Sequence, residues 1–216
     1  MKYLLFSLLT FFAGSISNFA LAPWDYFFVL LFSFPLFFFV LQDIYNEKKI
    51  KNKTLSFILF GNIFLFGYFL FGLLWISSAF NYREGFAELK FISIFGLPFL
   101  LCLITTPGWI LTAFLWGKGL HGCFALSAGI ITGEFLRSYL FSGFPWNLFG
   151  HSIGFNDFSM QVGSIFGFHL SGFFVILFSL APILFLKRST LKWGIIFSLI
   201  LPVCMMYGYF RLPSEI

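Results

Sequence analysis

The chain has 216 residues, of which 60% are hydrophobic and only 10% charged, with a mean hydropathy of +0.96. Soluble chains are about one quarter charged, so lipid rather than water is the natural solvent for this composition. The net charge of +5 does not mark a nucleic-acid surface, because the basic residues sit in short loops between apolar runs and no basic-aromatic patch occurs.

A helix needs about 20 apolar residues to cross the hydrocarbon core, and the pattern predicts an all-α polytopic membrane protein of about seven such helices, forming one domain over 1–216. The first segment covers 3–22. It resembles a signal peptide, but Pro23 directly after Ala20-Leu21-Ala22 argues against cleavage, and it reads as the first membrane helix. Pro23-Trp24-Asp25 is a tight polar turn, and the second segment is 26–41. A loop with Lys48, Lys49, Lys51 and Lys53 leads to the third, 55–77, and a polar stretch from Asn81 to Lys90 to the fourth, 91–116, bent or interrupted near Pro98 and Pro107. The fifth is 123–141, followed by a Gly/Asn/Asp-rich excursion at 142–161. The sixth is 162–186 and the seventh 193–210, separated by a basic loop at 187–192.

A cytoplasmic N-terminus puts Lys2, Lys48, Lys49, Lys51, Lys53, Lys118, Lys187, Arg188 and Lys192 inside, nine of the thirteen basic residues. The positive-inside bias selects this orientation, with a periplasmic C-terminus and location in the bacterial inner membrane.

Two places depart from a purely apolar pattern. In the fifth segment, Glu134 and Arg137 lie one turn apart on one helix face. Ionisable residues in a membrane helix are costly and turn to a protein interior or a water-filled cavity. The pair reads either as a structural ion pair that fixes helix packing or as a substrate contact. Gly129 and Gly133, spaced as GxxxG, permit close approach of another helix. Just beyond, Phe144, Pro145 and Trp146 form a compact turn after Gly143. Trp146 alone reads as an interfacial belt residue. Together the three are candidates for contact with lipid at headgroup depth, Pro145 restricting Phe144 to extended geometry.

Catalytic templates do not match. Cys102, Cys123 and Cys204 are widely separated, without CxxC or a Cys/His cluster, and His121, His151 and His169 do not fall at metal-ligand spacing. No metal site and no cofactor is expected. The outer-face acids in the predicted topology, Asp25, Glu84, Glu88, Asp157 and Glu215, have no Cys in reach by sequence position.

The stretch Glu134-Phe-Leu-Arg137, then Gly143-Phe-Pro-Trp146 and Phe149-Gly-His-Ser152, resembles the membrane domain of apolipoprotein N-acyltransferase. Phe19-Ala-Leu-Ala-Pro-Trp-Asp25, Trp75-Ile-Ser-Ser and Gly163-Ser-Ile-Phe-Gly167 resemble other parts of that domain in the same order. The resemblance implies transfer of an acyl chain from phospholipid to the α-amino group of a lipoprotein's diacylglyceryl-cysteine. It also implies that the chemistry belongs to a nitrilase-like domain with a Glu, Lys and Cys catalytic set, placed after the seventh helix. None of that set has a counterpart among residues 1–216, so the chain by itself is expected to be catalytically incomplete, a truncated product, a split gene or a fragment, with phospholipid and diacylated lipoprotein as partners and a separate nitrilase-like chain as a further one. The alternative is a small transporter or channel-type protein, against which stands the scarcity of intramembrane polar groups.

Overall fold

The computed structural model describes residues 1–82 and 89–212, and it is all-helical, with no strand among the described residues. Six helical stretches are long and apolar enough to cross a membrane: Lys2–Ala20, Phe27–Asn46, Lys53–Gly72, Leu89–Leu115, Gly163–Phe185 and Arg188–Arg211. Helix Leu120–Tyr139 is equally long at 20 residues but holds both Glu134 and Arg137, and it is not one of the six. The chain is a multi-pass helical membrane protein. Glu84, Glu88 and Glu215, named above, lie outside the described residues.

The regular helices are α1 (Lys2–Ser17), α2 (Leu30–Asn46), α3 (Lys53–Gly72), α4 (Leu97–Leu115), α5 (Leu120–Tyr139), α6 (Gly163–Ser179), α7 (Leu191–Ser198) and α8 (Ile200–Arg211). Their irregularities follow from sequence. Pro98 opens α4 behind a stretch of π-helix at Ile92–Gly96, which accounts for the interruption expected near that proline. Gly167 takes φ 64° and ψ 174° inside α6, breaking it where a residue with a Cβ would resist that backbone. The third apolar run stops being α-helical at Gly72 and continues as a 3-10 stretch from Leu74. A Cβ at Gly72 would collide with the side chains of Asn147 and Asn18, so the helix ends where two other segments cross it.

Small residues decide how the helices meet. The broadest contact is between α4 and α5. A Cβ on Gly108 would strike the Gly129 carbonyl oxygen, and one on Gly129 would strike the Thr112 hydroxyl, while Gly133 abuts Thr105. The GxxxG spacing in α5 is thus spent on α4, which needs no bulky side chains there because lipid supplies no hydrophobic drive between helices and close van der Waals fit must do so. The same rule joins α1 to α3, where Gly14 lies against the Phe64 backbone and Gly67 against that of Phe11. Between these pairs, α2 contributes Phe34, Phe37 and Phe38 to an aromatic core, with Phe37 stacked on Phe64 at 4.3 Å and edge-on to Trp109 at 5.8 Å.

One end of the bundle is closed by lysines. Lys53 Nζ donates to the carbonyls of Ile44, Tyr45 and Glu47, capping the end of α2, and Lys2 pairs with Asp43 at 2.7 Å. Asn52 accepts from Leu55 N and caps the start of α3.

Replacement of Gly129 by Leu should separate α4 from α5, since neither neighbour at the contact is a flexible side-chain end. Overpacking of this kind costs about 1–3 kcal/mol or more. The expected result is a clear fall in monodisperse protein after detergent extraction and gel filtration, with Gly163→Leu, which meets only the Phe168 ring at ordinary contact distance, as the tolerated control.

Candidate functional site

The opposite end of the bundle is organised by two side chains of α5. The helix ends at Tyr139, and the chain then makes an irregular excursion before the 3-10 stretch Phe149–Phe155. Within it Phe141 has φ 51°, Ser142 φ 75°, Gly143 φ 80° and Asn147 φ 53°. Gly143 is at ease in such a backbone and Asn147 tolerates it, and a Cβ at Gly143 would also collide with the Ser138 carbonyl oxygen. Left-handed conformations at Phe and Ser are costly and persist only where surrounding structure enforces them.

Arg137 is the enforcing group. It is 1% exposed, and its guanidinium reaches past the end of its own helix. Nη1 donates to the carbonyls of Phe144 and Trp146, each at 2.6 Å, and Nη2 donates to that of Asn147 at 2.8 Å. Its main-chain carbonyl accepts from Phe144 N at 2.7 Å. The face of Phe69 lies 5.0 Å from Cζ, adding a cation–π contact. Glu134, 3% exposed, serves the other side of the excursion by accepting from Phe149 N at 2.8 Å.

The two charges face the bundle interior, yet their closest approach is 3.8 Å, from Arg137 Nη2 to Glu134 Oε1. The shorter bonds all go to the main chain. Hydrogen bonds to a charged group contribute about 1.5–3 kcal/mol each, so three of them outweigh one stretched ion pair. The structural reading of the pair is therefore refined: it fixes a loop first and a helix face second. Glu134 Oε2 and Arg137 Nε are buried and have no hydrogen-bond partner among the described residues.

The candidates Phe144, Pro145 and Trp146 sit on this loop. Phe144 is half-buried against the core, whereas Pro145 and Trp146 are exposed, Trp146 by 56%. Trp146 lies edge-on to Trp75 at 6.0 Å. Trp24 and Tyr26, also exposed, gather at the same end beside Phe19, with Trp24 5.6 Å from the Phe19 ring.

Residues that sequence reasoning passed over complete the arrangement. Tyr68 of α3 is buried, donates to the Asn147 carbonyl at 3.2 Å and stacks on Phe149 at 4.5 Å. Asn147 Nδ2 donates to Asn18 Oδ1 across 3.4 Å, tying the loop to the end of α1. Ser138 Oγ lies 3.0 Å from His169 Nε2 on α6. The available signal was positional: Asn18 closes the first apolar run, and Glu134, Arg137, Ser138 and Asn147 cluster at the end of the fifth. His151 accepts from Leu148 N through Nδ1 at 3.3 Å and packs edge-on against Phe168. Burial, then the Arg137 and His169 charges, push its imidazole below the usual histidine range, so it stays neutral near pH 7.

The thiols of Cys102 and Cys123 are buried among helices and that of Cys204 is half-buried. No group of three or more His, Cys, Asp or Glu side chains able to hold a metal exists among the described residues.

Comparison with known proteins matches residues 13–181 to the family described as apolipoprotein N-acyltransferase N-terminal domain. Curated relatives of the same name agree. The chain is 29% identical over 206 residues to the apolipoprotein N-acyltransferase of Sinorhizobium fredii, covering 94% of the chain and 39% of that protein. It is 31% identical over 209 residues to that of Agrobacterium fabrum, covering 94% and 40%, and 31% identical over 212 residues to that of Allorhizobium ampelinum, covering 95% and 40%. The chain thus spans about two fifths of the length of these relatives.

The geometry orders the effects of replacement. Glu134→Gln keeps an oxygen for Phe149 N, whereas Arg137→Met abandons three carbonyls in a setting where unsatisfied main chain costs several kcal/mol. Arg137→Lys should fall nearer to Met than to wild type, because one ammonium cannot span the positions served by the guanidinium fork. Thermal unfolding in detergent should rank wild type above Glu134→Gln, with Arg137→Lys and Arg137→Met well below. Equal midpoints for Glu134→Gln and Arg137→Met would mean that the ion pair, not the loop, is what matters.

Proposed function

The chain belongs to the apolipoprotein N-acyltransferase family over its N-terminal domain, and on that premise we propose that it forms the membrane-embedded part of such an acyltransferase, seating lipid substrates at the Arg137 end of the bundle. The observation that carries the reading is the family match across residues 13–181, reinforced by a loop whose backbone is held by buried charges while Phe141 and Trp146 are exposed. Rigidity of this kind suits positioning: a reacting lipid held even 1 Å out of place loses about 100-fold in rate.

In this reading Phe144, Pro145 and Trp146 border the place where acyl chains of a phospholipid and of a diacylated lipoprotein meet the headgroup zone. Glu134 and Arg137 act through the loop rather than on the substrates, since both are buried and Arg137 Nη1 and Nη2 and Glu134 Oε1 are bonded to the main chain. The acyl-transfer chemistry belongs to a nitrilase-like domain with its Glu, Lys and Cys, whose thiolate would take the acyl group as a thioester before the amine attacks. That domain would sit over the same end, whether joined to this chain or supplied by a separate one. A transport function gains little support, because the two ionisable residues of α5 are already committed to backbone partners.

The orientation that goes with this function is N-terminus cytoplasmic, C-terminus periplasmic, with α5 as one of seven crossings of the bacterial inner membrane. The lysine-capped end holding Lys2 and Lys53 is then inside, as the positive-inside bias favours.

Alkaline phosphatase fused after Ile216 should be active and fused after Lys51 inactive. The reverse pattern would remove both the orientation and the proposed site. For the aromatic loop, the tryptophan matching Trp146 in a full-length relative should be replaced by alanine and acyl transfer to a diacylated lipoprotein peptide followed by mass spectrometry. A drop of roughly tenfold or more at unchanged protein level is expected, the size that misplaced substrates bring. Unaltered transfer would leave Trp146 as a belt residue only.

A further inference from the structure

At the far end of α5 from Arg137, roughly 30 Å away at about 1.5 Å per residue, the bundle opens into a cavity of about 210 Å³. Three helical elements meet there: the last turns of α2, the start of α5, and the helical segment Ala181–Phe185 with the turn that follows it. The polar part of the wall is Gln42, Asn46, Lys118, Gly119 and Lys187, with the side chain of Thr190 between them. No carboxylate is among the lining residues.

The lysines and the helix end ask for an anion. Lys118 and Lys187 are both exposed, and neither ammonium has a protein partner among the described residues. Gly119, with φ 61°, is the N-cap of α5, and no side chain caps the first turn, which carries no acidic residue. The free N–H groups of a 20-residue helix therefore point their partial positive charge at the same space as the two lysines. The Gln42 side chain donates from Nε2 to Asn46 Oδ1 at 3.4 Å.

The rest of the wall is apolar. Phe38 and Ile183 are buried behind the cavity, and Phe39 and Leu186 stand exposed at its edge, in the part of the surface that meets lipid. A water-soluble anion gains nothing from that half. A lipid uses it for the first methylenes of its acyl chains while the lysines hold the phosphate, the arrangement expected for basic pockets between membrane helices.

We propose that this cavity is a binding site for an anionic glycerophospholipid, with Lys118 and Lys187 on the phosphate and the N-terminus of α5 facing it. The site is separate from the acyl-transfer reading, at the opposite end of α5, and would hold the ends of α2, α5 and the segment after Ala181–Phe185 together.

The test measures the unfolding midpoint of the purified 216-residue protein in detergent with phosphatidylglycerol, with phosphatidylcholine and with soluble sn-glycerol 3-phosphate, together with lipid retention by native mass spectrometry. Phosphatidylglycerol should raise the midpoint and remain bound through purification, and the other two should do neither. In the Lys118→Gln, Lys187→Gln double variant, apparent affinity should fall by roughly tenfold or more, since each basic residue near an anionic surface contributes about a factor of five. The Lys48→Gln, Lys51→Gln variant, which removes two charges outside the cavity, should respond like wild type. Gel filtration and the midpoint without lipid establish that each variant is folded. An unchanged response in the Lys118/Lys187 variant, or equal losses in both double variants, would overturn the site. A shift with glycerol 3-phosphate equal to that with phosphatidylglycerol would assign the cavity to a soluble phosphate and overturn the lipid reading.

Discussion

Non-helical backbone at the edge of a membrane has to find hydrogen-bond partners within the protein, because hydrocarbon offers none. Residues 140–148 are such a backbone, and the guanidinium of Arg137 is the partner. It sits where the next turn of α5 would have been and donates to three carbonyls that a continued helix would otherwise have satisfied. Glu134 does the complementary job for the first N–H of the following stretch. The two charges enter a low-dielectric interior at a cost that their own 3.8 Å separation would not offset; the four main-chain bonds do.

Much of the architecture depends on this arrangement. The loop held by Arg137 meets Tyr68 of α3 and Asn18 at the end of α1, so three helices that are remote in sequence end against one turn. Gly72 is where α3 yields to that crossing. Deeper in the bundle, the α4–α5 contact through Gly108, Gly129 and Gly133 sets the position of α5 and hence of Arg137. Placement of Trp146 at the surface is thus decided by glycines more than a turn away from it. The two ends of α5 differ in kind: one is turned inward to backbone acceptors and hides its charge, while the other leaves an uncapped helix N-terminus and two lysines open to whatever the membrane provides.

In the proposed reading, the aromatic loop has a purpose that packing alone does not require. A structural loop could bury its rings. This one keeps Trp146 exposed, edge-on to the exposed Trp75 of a neighbouring stretch. Rigid main chain with outward aromatic rings is what a surface needs if it is to hold acyl chains at a defined depth without closing over them.

Composition and hydrophobic run length by themselves determined that this is a helical membrane protein, because the solvent requirement acts on every residue and leaves its mark along the whole chain. The GxxxG pair, the break near Pro98 and the inward-facing Glu134 and Arg137 were also legible, since each depends on residues close together in sequence. Family membership was legible in the EFLR and GFPW stretches and holds across residues 13–181. What only the tertiary structure decided is what the buried charges bind. Spacing of three residues suggested that Glu134 and Arg137 satisfy one another, but main-chain carbonyls at Phe144, Trp146 and Asn147 have no sequence signature, because every residue carries one. The same holds for the early end of α3 at Gly72, which answers to Asn18 and Asn147 rather than to its own neighbours, and for the cavity at Lys118 and Lys187, whose residues are assembled from three separate segments. A local pattern can show that a charge will be buried; only the fold brings up the partner.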